Sequence, residues 1–170
     1  MINPEEILNN LDLKDDMIAC EFGCGAGIFA ISLAKRLTNG KVYGLDVQEE
    51  KLSALKNRAN MENLLNIETI LCDLERPNGS TLQSDYSDLV LIPNVLFQAE
   101  EKNAIIEEAK RVLKPAGQLL IIDWKKDAPL GPKEGRIGAD DVKNISEKLD
   151  LKLKKEFSAG VYHYALLFTK

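Results

Sequence analysis

Residues Glu21–Gly27 read E-F-G-C-G-A-G and follow directly on the apolar run Met17-Ile18-Ala19-Cys20. An apolar run that meets glycines at alternate positions specifies a strand entering a tight turn that opens a helix. Glycine is required there because a Cβ would block a positive φ or hold a ligand away from the backbone. In an open α/β sheet such a turn lies at the carboxyl edge of the strands, where ligands bind. Glu21, two places before the first glycine, qualifies that ligand: a carboxylate repels a pyrophosphate and attracts a cationic group. The third glycine also comes one residue early for the G-x-G-x-x-G of dinucleotide folds.

Strand-like and helix-like segments alternate along the rest of the chain. Pro4–Asn10 reads as a short first helix, and a strand over Met17–Phe22 leads through the turn to a helix from Gly27 to Leu37. A strand over Lys41–Leu45 ends at Asp46, and a helix from Glu49 to Asn60 sets Leu52, Leu55 and Ala59 on one face. Asn66–Leu71 reads as a strand, and Glu75–Asp85 as an irregular connection. A strand over Asp88–Ile92 stops at Pro93, before an amphipathic helix over Glu100–Leu113. Lys114-Pro115-Ala116-Gly117 breaks that helix ahead of a fifth strand, Gln118–Ile122. The loop Lys125–Gly138 is rich in proline and glycine and leads to a helix over Asp140–Leu149.

Two final strands, Leu151–Phe157 and Val161–Phe168, are separated only by Ser158-Ala159-Gly160. So short a link cannot cross over a sheet, so this pair must be antiparallel. The helices between the earlier strands make those mostly parallel. The expected architecture is α/β: a doubly wound, mostly parallel seven-stranded sheet with an antiparallel C-terminal hairpin.

The chain of 170 residues predicts a single domain over 1–170. Its net charge of −5 argues against nucleic acid as a partner, since non-specific binding rests on Lys and Arg neutralising phosphates. No apolar run reaches membrane-spanning length, and the amino terminus lacks the pattern of a signal peptide. Cys20, Cys24 and Cys72 are odd in number and form no C-x-x-C pair. They read as reduced thiols of a cytoplasmic protein, with no metal site.

With these features in place, E-x-G-x-G-x-G at Glu21–Gly27 resembles the first motif of class I S-adenosylmethionine-dependent methyltransferases. The antiparallel hairpin after a parallel sheet is a second mark of that family, and the resemblance covers the chain from about Asp15 onward. It implies S-adenosyl-L-methionine as cofactor and S-adenosyl-L-homocysteine as product, with Glu21, Gly23, Cys24, Gly25 and Gly27 around the ligand. Cys24 occupies a variable position in the motif and reads as a small filler. Asp46 matches the acidic residue that accepts from both ribose hydroxyls, as a carboxylate can; its bland alternative is a helix N-cap. Asp73 matches the acceptor of the adenine amino group, with the Leu74 backbone at the ring edge and Val47 as an apolar wall. The alternatives are a turn-forming aspartate and two ordinary core residues.

After the fourth strand, Asn94 is the candidate to touch the cofactor, and Phe97 and Gln98 the candidates to face the substrate. The N-P-P-Y tetrad of many N-methyltransferases is absent, which counts against nucleic-acid methylation. The Leu113–Gly117 break looks like the broad group of quinone, sterol and small-molecule enzymes, so a small-molecule acceptor is expected. His163, the lone histidine, falls at the ligand edge of the sheet beside Tyr162 and Tyr164. A histidine among aromatics is more often packing than catalysis, so no catalytic residue is assigned. Trp124 and Arg136 are further substrate candidates. The Lys125–Gly138 loop reads equally as a lid or as a passive connection, and a homodimer partner is the other way to close an open acceptor side. Two rivals stand beside methyl transfer: a cofactor-binding scaffold without turnover, and a NAD(P)-dependent reductase.

Overall fold

The computed structural model describes residues 2–170. A short helix α1 (Pro4–Leu8) precedes β1 (Ile18–Phe22), α2 (Ile28–Arg36), β2 (Lys41–Asp46), α3 (Glu49–Met61) and β3 (Ile67–Leu71). The second half runs β4 (Ser87–Pro93), α4 (Lys102–Val112), β5 (Leu113–Trp124), α5 (Ala139–Lys148), β6 (Lys152–Ser158) and β7 (His163–Thr169). The strands form one sheet in the order β3-β2-β1-β4-β5-β7-β6. Pairing is parallel from β3 through β5, and β7 runs antiparallel between β5 and β6. The winding reverses between β1 and β4, so the crevice beyond their carboxyl ends is the place where such sheets bind ligands.

Strand alternation divides the core into two layers. Cys20, Phe22, Val90, Ile92, Leu119 and Ile121 pack with Ile105, Ala109 and Val112 of α4 and with Val142 of α5. Ala19, Leu89, Leu91, Leu120 and Ile122 pack on the other face with Ile7 and Leu8 of α1, Leu33 of α2, and Leu52, Leu55 and Ala59 of α3. Each fully buried leucine or isoleucine contributes about 1.5–3 kcal/mol, and these two layers hold the sheet between helices. The edge strand β6 exposes Lys152, Lys154 and Lys155, charges that deter pairing with another sheet.

Several boundaries shift by a residue or two from the sequence pattern, and two of the shifts have a clear physical cause. β5 takes over from α4 at Leu113 instead of starting after the break: Leu113 pairs with Ser87 and Gln118 with Leu89, so Lys114–Gly117 bulges out of the ladder. The bulge is held because Ala116 N donates to Lys170 O (3.1 Å) and Lys170 N to Gly117 O (3.0 Å). β7 starts at His163, not Val161, because Ala159 N donates to His163 O (3.2 Å) and closes a longer turn.

Candidate active site

The turn between β1 and α2 uses its three glycines for different reasons, although all have positive φ (Gly23 69°, Gly25 51°, Gly27 77°). A Cβ on Gly23 would lie 2.4 Å from Val95 Cγ2, and one on Gly27 would lie 2.2 Å from Leu55 Cδ1. A Cβ on Gly25 would meet nothing within 4 Å. Gly23 and Gly27 let neighbouring elements close in, whereas Gly25 leaves room for a ligand. The turn is fastened to β2 by Cys24 N donating to Leu45 O (2.9 Å) and Gly25 N to Asp46 Oδ2 (2.9 Å). The buried Cys24 thiol fills the space beside Gly44, and burial pushes its pKa up.

Glu21 is 2% exposed, and its Oε2 accepts from Ala30 N at 2.7 Å in the first turn of α2. The helix N-terminus therefore answers the buried carboxylate within the fold itself. Burial still wins and pushes its pKa up to about 8, against the opposing hydrogen bonds from Ala30 and Phe29.

Two clefts open at the carboxyl edge of the sheet. The first, of about 670 Å3, brings Asp46, Val47, Asp73, Leu74 and Asn94 together as the sequence indicated. Asp46 does not cap α3, whose N-cap is Gln48. It accepts from Gly25 N and from Gln48 N (3.0 Å), so it braces the glycine turn as well as lining the cleft. Asp73 forms the turn anticipated as its bland role, Oδ1 accepting from Glu75 N at 3.1 Å. The Arg76 guanidinium, 2.8 Å from Oδ2, holds its carboxyl below the usual range.

The second cleft, of about 540 Å3, shares Gly23, Gly25 and Asn94 with the first. Beyond Glu21 its walls are largely apolar and aromatic, including Ile28, Phe29, Trp124, Leu130 and Tyr162. Asn94 stands between the two with φ 56°, its N–H donating to Ile122 O at 2.8 Å. Its Oδ1 is buried without a hydrogen-bond partner. His163 faces Trp124 across the β5–β7 pair, with ring centroids 4.0 Å apart. Its Nε2 is likewise buried without a partner, and burial lowers its pKa.

Three sequence assignments change. Phe97 lines neither cleft. The buried carboxylate of Asp123 gathers the N–H groups of Phe97 (3.2 Å) and Trp124 (2.7 Å), which folds the segment after β4 back on β5. Gln98 lines the first cleft and not the second, and its Nε2 donates to Asn94 O at 3.2 Å. Arg136 lines neither: its guanidinium donates to the carbonyls of Lys125 (3.3 Å), Lys126 (3.1 Å), Ala128 (2.7 Å) and Leu130 (2.6 Å). It staples its own loop through Nη1 and Nη2, while its buried Nε has no partner. Ile2 lines the second cleft, so the loop is not alone in covering it. No local signal marked Ile2, because its place depends on α1 docking beside α2 through Arg36, which donates to Glu5 Oε2 at 2.6 Å.

The turn, the carboxylate ending β2 and the antiparallel β7 define the class I S-adenosylmethionine-dependent methyltransferase class. The methyltransferase-domain family matches residues 13–160, and the chain belongs to that family. It is similar to a SAM-dependent methyltransferase from Aquifex aeolicus, with 29% identity, a TM-score of 0.88 and coverage of 99% of this chain and 89% of that one. A ubiquinone/menaquinone biosynthesis C-methyltransferase of Bordetella parapertussis is 32% identical over 71% of this chain and 46% of its own length. A ribosomal protein L11 methyltransferase of Vibrio cholerae is 34% identical over 67% of this chain and 35% of its own. The chain thus spans about half the length, or less, of the curated relatives it matches. Among the described residues no helix is long and apolar enough to cross a membrane.

Proposed function

We propose that this chain transfers a methyl group from S-adenosylmethionine to a small apolar acceptor. One observation carries the proposal: two clefts meet at Gly25 and Asn94, where the Cβ position is empty and a buried side-chain oxygen lacks a partner. The residues fit the cofactor. Asp46 keeps free lone pairs for ribose hydroxyls, Asp73 and the Leu74 backbone border the place for adenine, and Val47 offers an apolar wall that is 65% exposed. Gly25 gives backbone access, and Asn94 Oδ1 with Glu21 offers anionic or dipolar oxygen to the cationic end. When bound, the cofactor supplies an already activated methyl group, so the protein's part is to position the acceptor and exclude water.

The second cleft, about 540 Å3, has the size and apolar lining of small-molecule sites. The quinone-pathway relative supports such an acceptor; the ribosomal-protein relative supports a protein side chain instead, which would have to reach past Ile2 and Leu130. Both residues line that cleft. Free thiols at Cys20, Cys24 and Cys72 agree with a reducing, cytoplasmic setting.

Calorimetry with S-adenosylmethionine, S-adenosylhomocysteine and NADH, followed by an acceptor screen, tests the proposal. Binding of the first two and not of NADH is expected. Binding of NADH alone would overturn it, and cofactor binding without turnover on any acceptor would leave a scaffold.

A further inference from the structure

We propose that His163 receives the acidic hydrogen of the acceptor, and that this acceptor is a flat apolar molecule bearing one phenol-type hydroxyl. The inference rests on the acceptor lying in the second cleft, as proposed above. His163 is 6% exposed, yet its Nε2 has no hydrogen-bond partner. Its ring packs on Trp124, and the Lys125 ammonium nearby donates to Val161 O (2.9 Å) and could not accept from it. Asn94 Oδ1, the other orphan at this site, lines both clefts and is accounted for on the cofactor side. A buried polar atom that the chain leaves unpaired calls for a partner from outside it.

The chemistry of the partner follows from the surroundings. Burial, with Lys125 nearby, keeps the imidazole in its neutral form, which accepts a hydrogen bond or a proton. The cleft around it is aromatic and aliphatic, from Phe29, Trp124, Tyr162, Ile28 and Leu130. Such walls select a flat apolar body, and the unpartnered nitrogen among them selects a hydrogen-bond donor on it. Proton transfer to imidazole is effective when the donor's acidity is near its own, which a phenol approaches and an aliphatic alcohol does not. In the step, the O–H bond breaks, its electron pair stays on oxygen, and the proton adds to Nε2. That electron pair forms the bond to the methyl group as the proton leaves, and the imidazolium returns its proton to water. Lys125 opposes that imidazolium, which favours passing the proton on to water.

The probe pair 4-nitrophenol and 4-nitroanisole, equal in shape but differing in the O–H, tests this on the full chain loaded with S-adenosylhomocysteine. Trp124 is the only tryptophan, so its fluorescence reads occupancy of this cleft directly. Wild type is expected to bind the phenol about tenfold more tightly than the ether, the usual effect of leaving a buried acceptor unpaired. With S-adenosylmethionine in place of S-adenosylhomocysteine, wild type should methylate the phenol and leave the ether unchanged. His163→Phe should lose both the preference and the methylation, and His163→Gln, whose amide oxygen accepts a hydrogen bond but takes no proton, should keep the preference and methylate about tenfold or more slowly still. Calorimetry of S-adenosylhomocysteine alone, unchanged in both variants, separates this outcome from failure of the cofactor assignment. Equal affinity of wild type for the two probes, binding of neither, or a preference that survives in His163→Phe overturns the proposal.

Discussion

At the scale of single residues, the three glycines of one motif are not equivalent. Gly25→Val places its side chain where no protein atom stands, at a cost of about 1–2 kcal/mol for the left-handed backbone. It should unfold cooperatively and bind no S-adenosylhomocysteine, as calorimetry and a melting curve would show together; normal binding would take the turn out of the site. Gly27→Ala should do the reverse, losing stability against Leu55 before it loses ligand. Asp46 has two roles and will report both. Its carboxylate holds the N–H groups of Gly25 and Gln48, so Asp46→Ala should lower unfolding free energy by about 1–3 kcal/mol. Losing the ribose bonds should weaken S-adenosylhomocysteine by about 2–3 kcal/mol more. A variant with unchanged affinity and unchanged melting would exclude Asp46 from the site.

At the scale of elements, the loop between β5 and α5 is organised from inside. Arg136 bonds its carbonyls, Gly131 (φ 94°) lies so close to the Trp124 ring that a Cβ would fall 2.4 Å from Cζ3, and Leu130 reaches the second cleft. A stapled loop moves as a unit if it moves at all. Hydrogen exchange should therefore show amides 128–135 gaining protection together when S-adenosylhomocysteine and acceptor are bound. Equal exchange in every state would make the loop a passive connection. Arg136→Ala should speed exchange throughout the loop while leaving S-adenosylhomocysteine affinity within about twofold, since the guanidinium bonds backbone and not the cleft.

At the scale of the whole molecule, two buried carboxylates set the pH response between mildly acid and mildly alkaline conditions. Burial raises Glu21 to about 8 and Asp123 to about 6, above the ordinary carboxylate range of about 4. A group bound more tightly to its proton when folded stabilises the fold below the unfolded pKa and loses that contribution as pH rises through the folded one. Stability should thus decline from about pH 5 to about pH 8 and level off beyond, as denaturant titrations would measure. Glu21→Gln, which keeps an acceptor for Ala30 N, should flatten the upper part of that decline; an unchanged slope would show that Glu21 is ionised throughout. Glu108 and Asp73, with lowered pKa values, act only in more acid solution. Much of this architecture was legible in the sequence because its causes are local. Glycine φ, apolar periodicity and a hairpin link too short to cross a sheet dictate the turn, the strands and the antiparallel end. Asp46 and Asp73 were legible too, as residues at or just beyond the carboxyl ends of β2 and β3. Tertiary structure alone decided which glycine faces open space, that Phe97 and Arg136 turn away, that Ile2 comes in, and that His163 is left with an unpartnered nitrogen. Those outcomes depend on contacts between residues far apart in the chain, such as Asp123 with Phe97 and Arg36 with Glu5, whose free energies no local pattern encodes.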